Sequence, residues 1–228
     1  MGTDCLDAVD TPLILLPGMG ADARMFAPLR AALSQLVTPD WIEPERNEPL
    51  AAYARRLAST VDPGRPCFVG GASFGGVVAL EMSVALKARA CFLIGSMRSA
   101  DSRPWRVKLL HPVTPLVGML PTMSPWLVRL LGGWLRSPTR GVMTQLGEAD
   151  ARFLKWAARA ILTWRPSPET VRVRVCQIHG ERDRVFPVRK VKPDHVVSGA
   201  GHLISITHPQ PVVEFLRDRM AAIVSEAP

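Results

Sequence analysis

The 228-residue chain has four cysteines, no C-x-x-C pair and no cluster of histidine and cysteine at zinc-ligand spacing. No metal is therefore expected, and a chain of this length buries a core without disulfide staples. Cys67, Cys91 and Cys176 fall in apolar runs and are expected as small buried hydrophobes. The start, Met1-Gly2-Thr3-Asp4-Cys5, has neither a basic patch nor an apolar run, so no secretory signal is expected and the cytoplasm is the expected location. Nucleic-acid motifs are missing, and aromatic residues are not interleaved with basic ones as a base-stacking surface needs. The stretch from Leu109 to Val128 lacks any Asp, Glu, Lys or Arg, but four prolines and His111 within it argue against a membrane-spanning helix.

Acids are also scarce between Arg98 and Pro166, where 11 lysines and arginines stand against Asp101, Glu148 and Asp150. That segment carries an excess equal to the net charge of +8 of the whole chain. Such an excess can attract an anionic partner, but the reading preferred is an ordinary solvated face with arginine stems lying over apolar surface.

Along the rest of the chain, short apolar runs alternate with helical patterns. Leu13-Ile14-Leu15-Leu16 reads as a strand buried on both faces, and Ala23 to Leu33 carries Met25, Phe26, Leu29 and Leu33 at helical spacing. Leu36 to Ile42 is expected as an edge strand because Pro39 is best tolerated there. Leu50 to Val61 predicts an amphipathic helix, Ala90 to Ile94 a buried strand, Arg174 to Ile178 and His195 to Val197 two more strands, and Pro209 to Val224 a closing helix. Strands and helices in alternation predict an α/β architecture, a mostly parallel, doubly wound sheet of about six strands flanked by helices.

Three motifs sit at strand ends. Gly71-Ala72-Ser73-Phe74-Gly75 reads G-x-S-x-G between the apolar run at Cys67 to Gly70 and the helix-like run at Val77 to Met82, which predicts a tight turn with Ser73 at its tip. His179-Gly180-Glu181-Arg182-Asp183 follows the run Val171 to Ile178, and Gly199-Ala200-Gly201-His202 follows His195 to Val197. Polar residues in such loops gather at the carboxyl edge of a parallel sheet. In the order Ser73, Asp183, His202 the chain resembles a small α/β-hydrolase over nearly its whole length, from about Thr11 to about Val224. The resemblance implies a sheet trimmed from eight strands to six, because ten residues cannot supply the two strands that family members place before Leu13. It also implies a core of residues 1–98 and 169–228 with a helical cap, 99–168, inserted over the active site. In that cap, residues 150–164 form the longest helix, with Phe153, Trp156, Ala157, Ala160, Ile161 and Trp164 on one stripe.

Chemistry assigns roles within that frame. Ser73 is the candidate nucleophile, His202 the base that takes its proton, and Asp183 the acid that holds the imidazole. Asp183 read alone is equally a turn aspartate paired with Arg182 or Arg184. The backbone N–H groups of Phe74 and Met19 are the candidate oxyanion-hole donors; many relatives have His-Gly where this chain has Pro17-Gly18. Met19, Phe74, Trp126, Leu130 and Trp134 are candidate pocket-lining residues. Of the remaining histidines, His179 is expected to make a structural hydrogen bond, His208 to act locally, and His111 lies in the cap. The activity expected is serine-dependent hydrolysis of a small-molecule carboxylic ester or thioester without a cofactor. Other readings on the same scaffold are carbon–carbon bond hydrolysis or a lyase reaction, a methyl esterase that draws an acidic carrier protein to a basic cap, and a non-catalytic binding protein. A haloalkane dehalogenase is disfavoured, since it needs an aspartate at position 73.

Overall fold

The computed structural model describes residues 10–102, 145 and 148–226. Six strands form one sheet: β1 (Leu13–Leu16), β2 (Leu36–Val37), β3 (Phe68–Ala72), β4 (Cys91–Ile94), β5 (Val175–Gly180) and β6 (His195–Val197). Their spatial order is β2-β1-β3-β4-β5-β6 and every pairing is parallel. The order reverses at β1, so successive crossovers deposit helices on both faces, and the middle strands have no wet face.

Side-chain alternation along β1 shows the consequence. Leu13 and Leu15 join one apolar layer, with Phe68, Phe92, Ile94 and Ile178 from neighbouring strands; Ile14 and Leu16 join the other, with Val69, Cys91 and Leu93. The first layer is closed by a short helix α1 (Ala27–Arg30) and by the final helix (Pro209–Ser225), which contributes Val212, Leu216 and Met220. The second is closed by α2 (Leu50–Val61), α3 (Phe74–Ala85) and α4 (Ala151–Thr163). Helix α2 buries Leu50, Tyr53, Ala54, Leu57 and Ala58, the stripe its 3.6-residue period dictates. Helix α3 is buried from Phe74 through Ser83, which is why its sequence is apolar all round. Helix α4 starts where Asp150 accepts hydrogen bonds from the N–H groups of Arg152 and Phe153. Two further turns, α5 (Val188–Val191) and α6 (Ile204–Thr207), precede the last helix, α7 (Pro209–Ser225).

Three expectations change in detail. The helix expected over Ala23 to Leu33 is a 3₁₀ turn, Ala23–Phe26, followed by the single turn α1, with Pro28 in the first turn of α1. Edge strand β2 stops after Val37, because Pro39 cannot donate to a ladder and Trp41 instead turns inward, its indole N–H on the Ala21 carbonyl at 3.2 Å. Residues Pro168–Arg172 form a 3₁₀ turn with Val171 exposed, so β5 begins at Val175 and runs on to include His179 and Gly180. Cys67, Cys91 and Cys176 are buried free thiols; burial pushes Cys91 up to about 12. Among the described residues no helix is long and apolar enough to cross a membrane.

Candidate active site

Between the last residue of β3 and the first of α3 there is one residue, Ser73. Its backbone has φ 52° and ψ −118°, a conformation that costs a non-glycine residue about 1–3 kcal/mol and persists only when its surroundings impose it. Here the surroundings are specific. The Ser73 N–H donates to the Ile94 carbonyl at 3.0 Å, and the Ser73 carbonyl accepts from Ser96 Oγ at 2.6 Å and from the Gly76 N–H at 3.1 Å. Strand and helix meet so closely that a Cβ on Gly71 would lie 2.4 Å from the Gly75 carbonyl carbon. The loop after β1 reaches the same place: a Cβ on Gly18 would lie 3.9 Å from the Ser73 Cβ.

The loops after β5 and β6 bring the other two candidates there. His202 Nε2 is 2.9 Å from Ser73 Oγ, and His202 Nδ1 is 2.8 Å from Asp183 Oδ2. An ionised carboxylate only accepts, so Nδ1 carries the proton and Nε2 faces the serine hydroxyl as an acceptor. The other Asp183 oxygen accepts from the N–H groups of Val185 at 2.7 Å and Phe186 at 2.9 Å. Burial alone would raise the Asp183 pKa; the nearby His179 ring and the hydrogen bonds from His202 and Phe186 outweigh it and hold the carboxyl well below the usual carboxylate range. Neither Arg182 nor Arg184 pairs with Asp183 among the described residues, so the turn-aspartate arrangement is not the one adopted.

Of the two expected oxyanion donors, Phe74 follows Ser73 in the chain, and Met19 follows Gly18, the residue of the β1 loop that approaches Ser73. The Phe74 N–H opens α3, where backbone donors have no intrahelical partner, and neither it nor the Met19 N–H is hydrogen-bonded among the described residues. Met19 is half-buried. The Phe74 ring is 1% exposed and packs in an aromatic cluster, 5.7 Å from Trp41, 6.3 Å from Phe153 and 6.0 Å from Trp156. Helix α4 thereby lies against the residue that follows the candidate nucleophile. A cavity of about 330 Å³ opens beside the β1 loop, lined by Gly20, Ala21, Trp41, Gln145 and Phe153 among others, but not by Ser73 or His202. Trp126, Leu130, Trp134 and His111 lie outside the described residues.

One residue of the site was not singled out from the sequence, and another makes a contact beyond the one expected of it. Ser96 anchors the Ser73 carbonyl; its only signal is a place two residues beyond β4, at the carboxyl edge. His179 was expected to make a structural hydrogen bond and does so to the Phe186 carbonyl at 2.8 Å, but the same nitrogen is 3.0 Å from Asp183 Oδ2. His208 bonds locally to Thr207 Oγ1. Most of the basic segment lies outside the described residues. Within them, Arg152 pairs with Glu43 and Arg159 with Asn47, so these two charges are engaged within the molecule. No group of three potential metal ligands occurs among the described residues.

No curated protein sequence matches the chain. Solved structures do. A thermophilic esterase from Thermogutta terrifontis superposes with a TM-score of 0.73 at 16% identity, over 93% of this chain and 90% of that one. A hydrolase from Pseudomonas aeruginosa PA01 gives 0.71 at 18% identity, over 96% and 91%. A structure from a study of Nitrososphaera gargenis carboxylesterases gives 0.71 at 17%, over 97% and 93%. At such identities the likeness establishes the fold. The sequence model of the alpha/beta hydrolase family matches residues 13–215, from the first core strand into the last helix, and the chain belongs to that family.

Proposed function

We propose that the protein is a serine hydrolase that cleaves carboxylic esters or thioesters of small to medium acyl groups through an acyl-enzyme. The observation that carries this reading is the continuous run Ser73 Oγ, His202, Asp183, with contacts of 2.9 and 2.8 Å between groups 129 and 19 residues apart in sequence. In the reaction, Ser73 Oγ attacks the carbonyl carbon while its proton passes to His202 Nε2. The developing oxyanion takes hydrogen bonds from the N–H groups of Phe74 and Met19. Collapse breaks the bond to the alcohol or thiol, which leaves with the proton from His202. Water then attacks the Ser73 ester, gives its proton to His202, and the acid departs as the serine recovers its hydrogen. Asp183 stays ionised throughout, and the three hydrogen bonds on its carboxylate, from Val185, Phe186 and His202, support that role.

Residues 99–168 are read as the cap, inserted between β4 and β5 of a core formed by 1–98 and 169–228. Support comes from α4, whose Phe153 and Trp156 rings pack on Phe74, and from Gln145 Oε1, which accepts from the Asp22 N–H at 3.2 Å in the β1 loop. Acyl and alcohol preference are then set by that insertion. A fluorophosphonate probe is expected to label Ser73, and 4-nitrophenyl esters of two-, four- and eight-carbon acids to be turned over. Labelling that survives Ser73→Ala, or no turnover of any ester, would sink the reading.

A further inference from the structure

His179 occupies the penultimate position of β5, 0% exposed, and the reaction just described gives it no part. Its Nε2 must carry a proton, because the Phe186 carbonyl 2.8 Å away can only accept. The same nitrogen lies 3.0 Å from Asp183 Oδ2, a close polar contact made while the N–H is aimed at the Phe186 carbonyl, and that oxygen also receives His202 Nδ1–H at 2.8 Å. The far nitrogen, Nδ1, is buried and has no hydrogen-bond partner. A proton there would be an unpaired buried donor, so the ring is fixed as the Nε2–H tautomer. Resting on the reading of Ser73, His202 and Asp183 as a triad, we propose that His179 is the positioning residue of the acid: its Nε2–H sets the plane of the Asp183 carboxylate and draws electron density away from the oxygen that faces His202.

The geometry makes both effects follow. Oδ1 is pinned by two backbone N–H groups of its own loop, which leaves rotation of Oδ2 to be stopped from the β5 side. The partly positive N–H edge of His179, held beside the same oxygen, competes with His202 for its charge and moderates the stabilisation that the imidazolium draws from the carboxylate. The groups facing this carboxylate are few. From β5 comes His179, from the loop after β6 His202, and from its own loop the Val185 and Phe186 N–H groups. The loop after β4 brings Gly95, whose added Cβ would lie 3.8 Å from Oδ2 and which carries no charge.

The test compares His179→Leu with His179→Gln, whose carboxamide restores an N–H donor of similar reach, using a 4-nitrophenyl ester across pH 5–9. For His179→Leu, kcat is expected to fall on the order of ten-fold with KM little changed, because the carboxylate that orients His202 loses its stop on the β5 side. The acid limb of its kcat/KM profile is expected to move to higher pH by roughly half a unit to one unit. His179→Gln is expected to recover most of both. An acid limb that stays in place, or a glutamine variant no better than leucine, overturns the assignment. Nitrogen-15 NMR of histidine-labelled wild type decides independently of whether the variants fold: the Nε2–H tautomer at His179 is expected, and an Nδ1–H tautomer overturns it. Wild-type protein that neither turns over esters nor takes the probe defeats the hydrolase reading instead, a result separate from either of these.

Discussion

Gly75→Ala probes the turn at Ser73 where it is tightest. A Cβ at this position would lie 2.2 Å from the Pro17 carbonyl oxygen and 2.3 Å from that of Leu16, well inside any real contact. Both neighbours are backbone, and Leu16 belongs to β1, which is held between β2 and β3 in the sheet. No rotamer change relieves the clash, so the N-terminus of α3 must lift from β1 by about 1 Å to reach an ordinary contact distance. Overpacking of this kind destabilises by about 1–3 kcal/mol, and the strained residue two positions back loses the surroundings that impose its conformation. The same lift carries Ser73 Oγ away from His202. A misplacement of about 1 Å at reacting atoms lowers rates on the order of a hundred-fold. Two assays read the two effects: urea denaturation for stability, and the rate of fluorophosphonate labelling at Ser73 under native conditions. Gly201→Ala is the control, since it lies next to His202 yet an added Cβ there meets nothing within 4 Å. It is expected to stay within about 0.5 kcal/mol of wild type. Gly75→Ala with wild-type stability and labelling rate would refute the argument that close approach of α3 to β1 creates the site.

Two further outcomes follow from buried carboxyl groups. Glu81, 4% exposed on α3, accepts from Trp164 Nε1 at 2.8 Å, the Ser167 N–H at 3.0 Å and Ser167 Oγ at 2.6 Å. Glu81→Ala strands the buried Trp164 N–H and two half-buried Ser167 donors and is expected to lose about 2 kcal/mol, the Trp164 donor counting in full and the Ser167 donors in part; an unchanged urea midpoint would show that this tie between α3 and the segment after α4 is not holding it. For Asp183, whose pKa is depressed in the folded state, the stabilisation is complete above the unfolded value of about 3.9 and is lost as pH falls further toward the folded value. The gap in Tm between wild type and Asp183→Asn is therefore expected to persist down to about pH 4 and shrink only below it. A gap that closes above pH 5 would contradict the hydrogen bonding described for this carboxylate.

Much of this molecule is legible in its sequence because the signals are local. Helix α2 runs from Leu50 to Val61 as its apolar spacing requires, between Pro49 and Pro63. Helix α4 starts at the Asp150 cap that precedes its stripe. The run at Leu13 reads as a strand buried on both faces, and the glycines around Ser73 mark a turn that larger residues cannot make. Each of these rests on neighbours a few residues apart. Where local signals compete, the outcome is less legible: Pro28 divides the expected helix after Ala23, and Pro39 ends β2 after two residues.

Contacts between distant segments are a different matter. Chain order alone left Asp183 free to pair with Arg182 or Arg184; the fold turns it instead to His202 and His179, because β5 and β6 lie side by side in parallel register, with Gly180 opposite Val197. That His179 faces the carboxylate four residues on, while its other nitrogen stays unpaired, depends on where the chain turns after β5 and on the Phe186 carbonyl. No periodicity encodes that. The sequence by itself determined which elements form and which residue types stand at their ends; tertiary structure decided which of those ends meet, since hydrogen-bonding distance between residues 129 apart is a property of strand order and not of spacing.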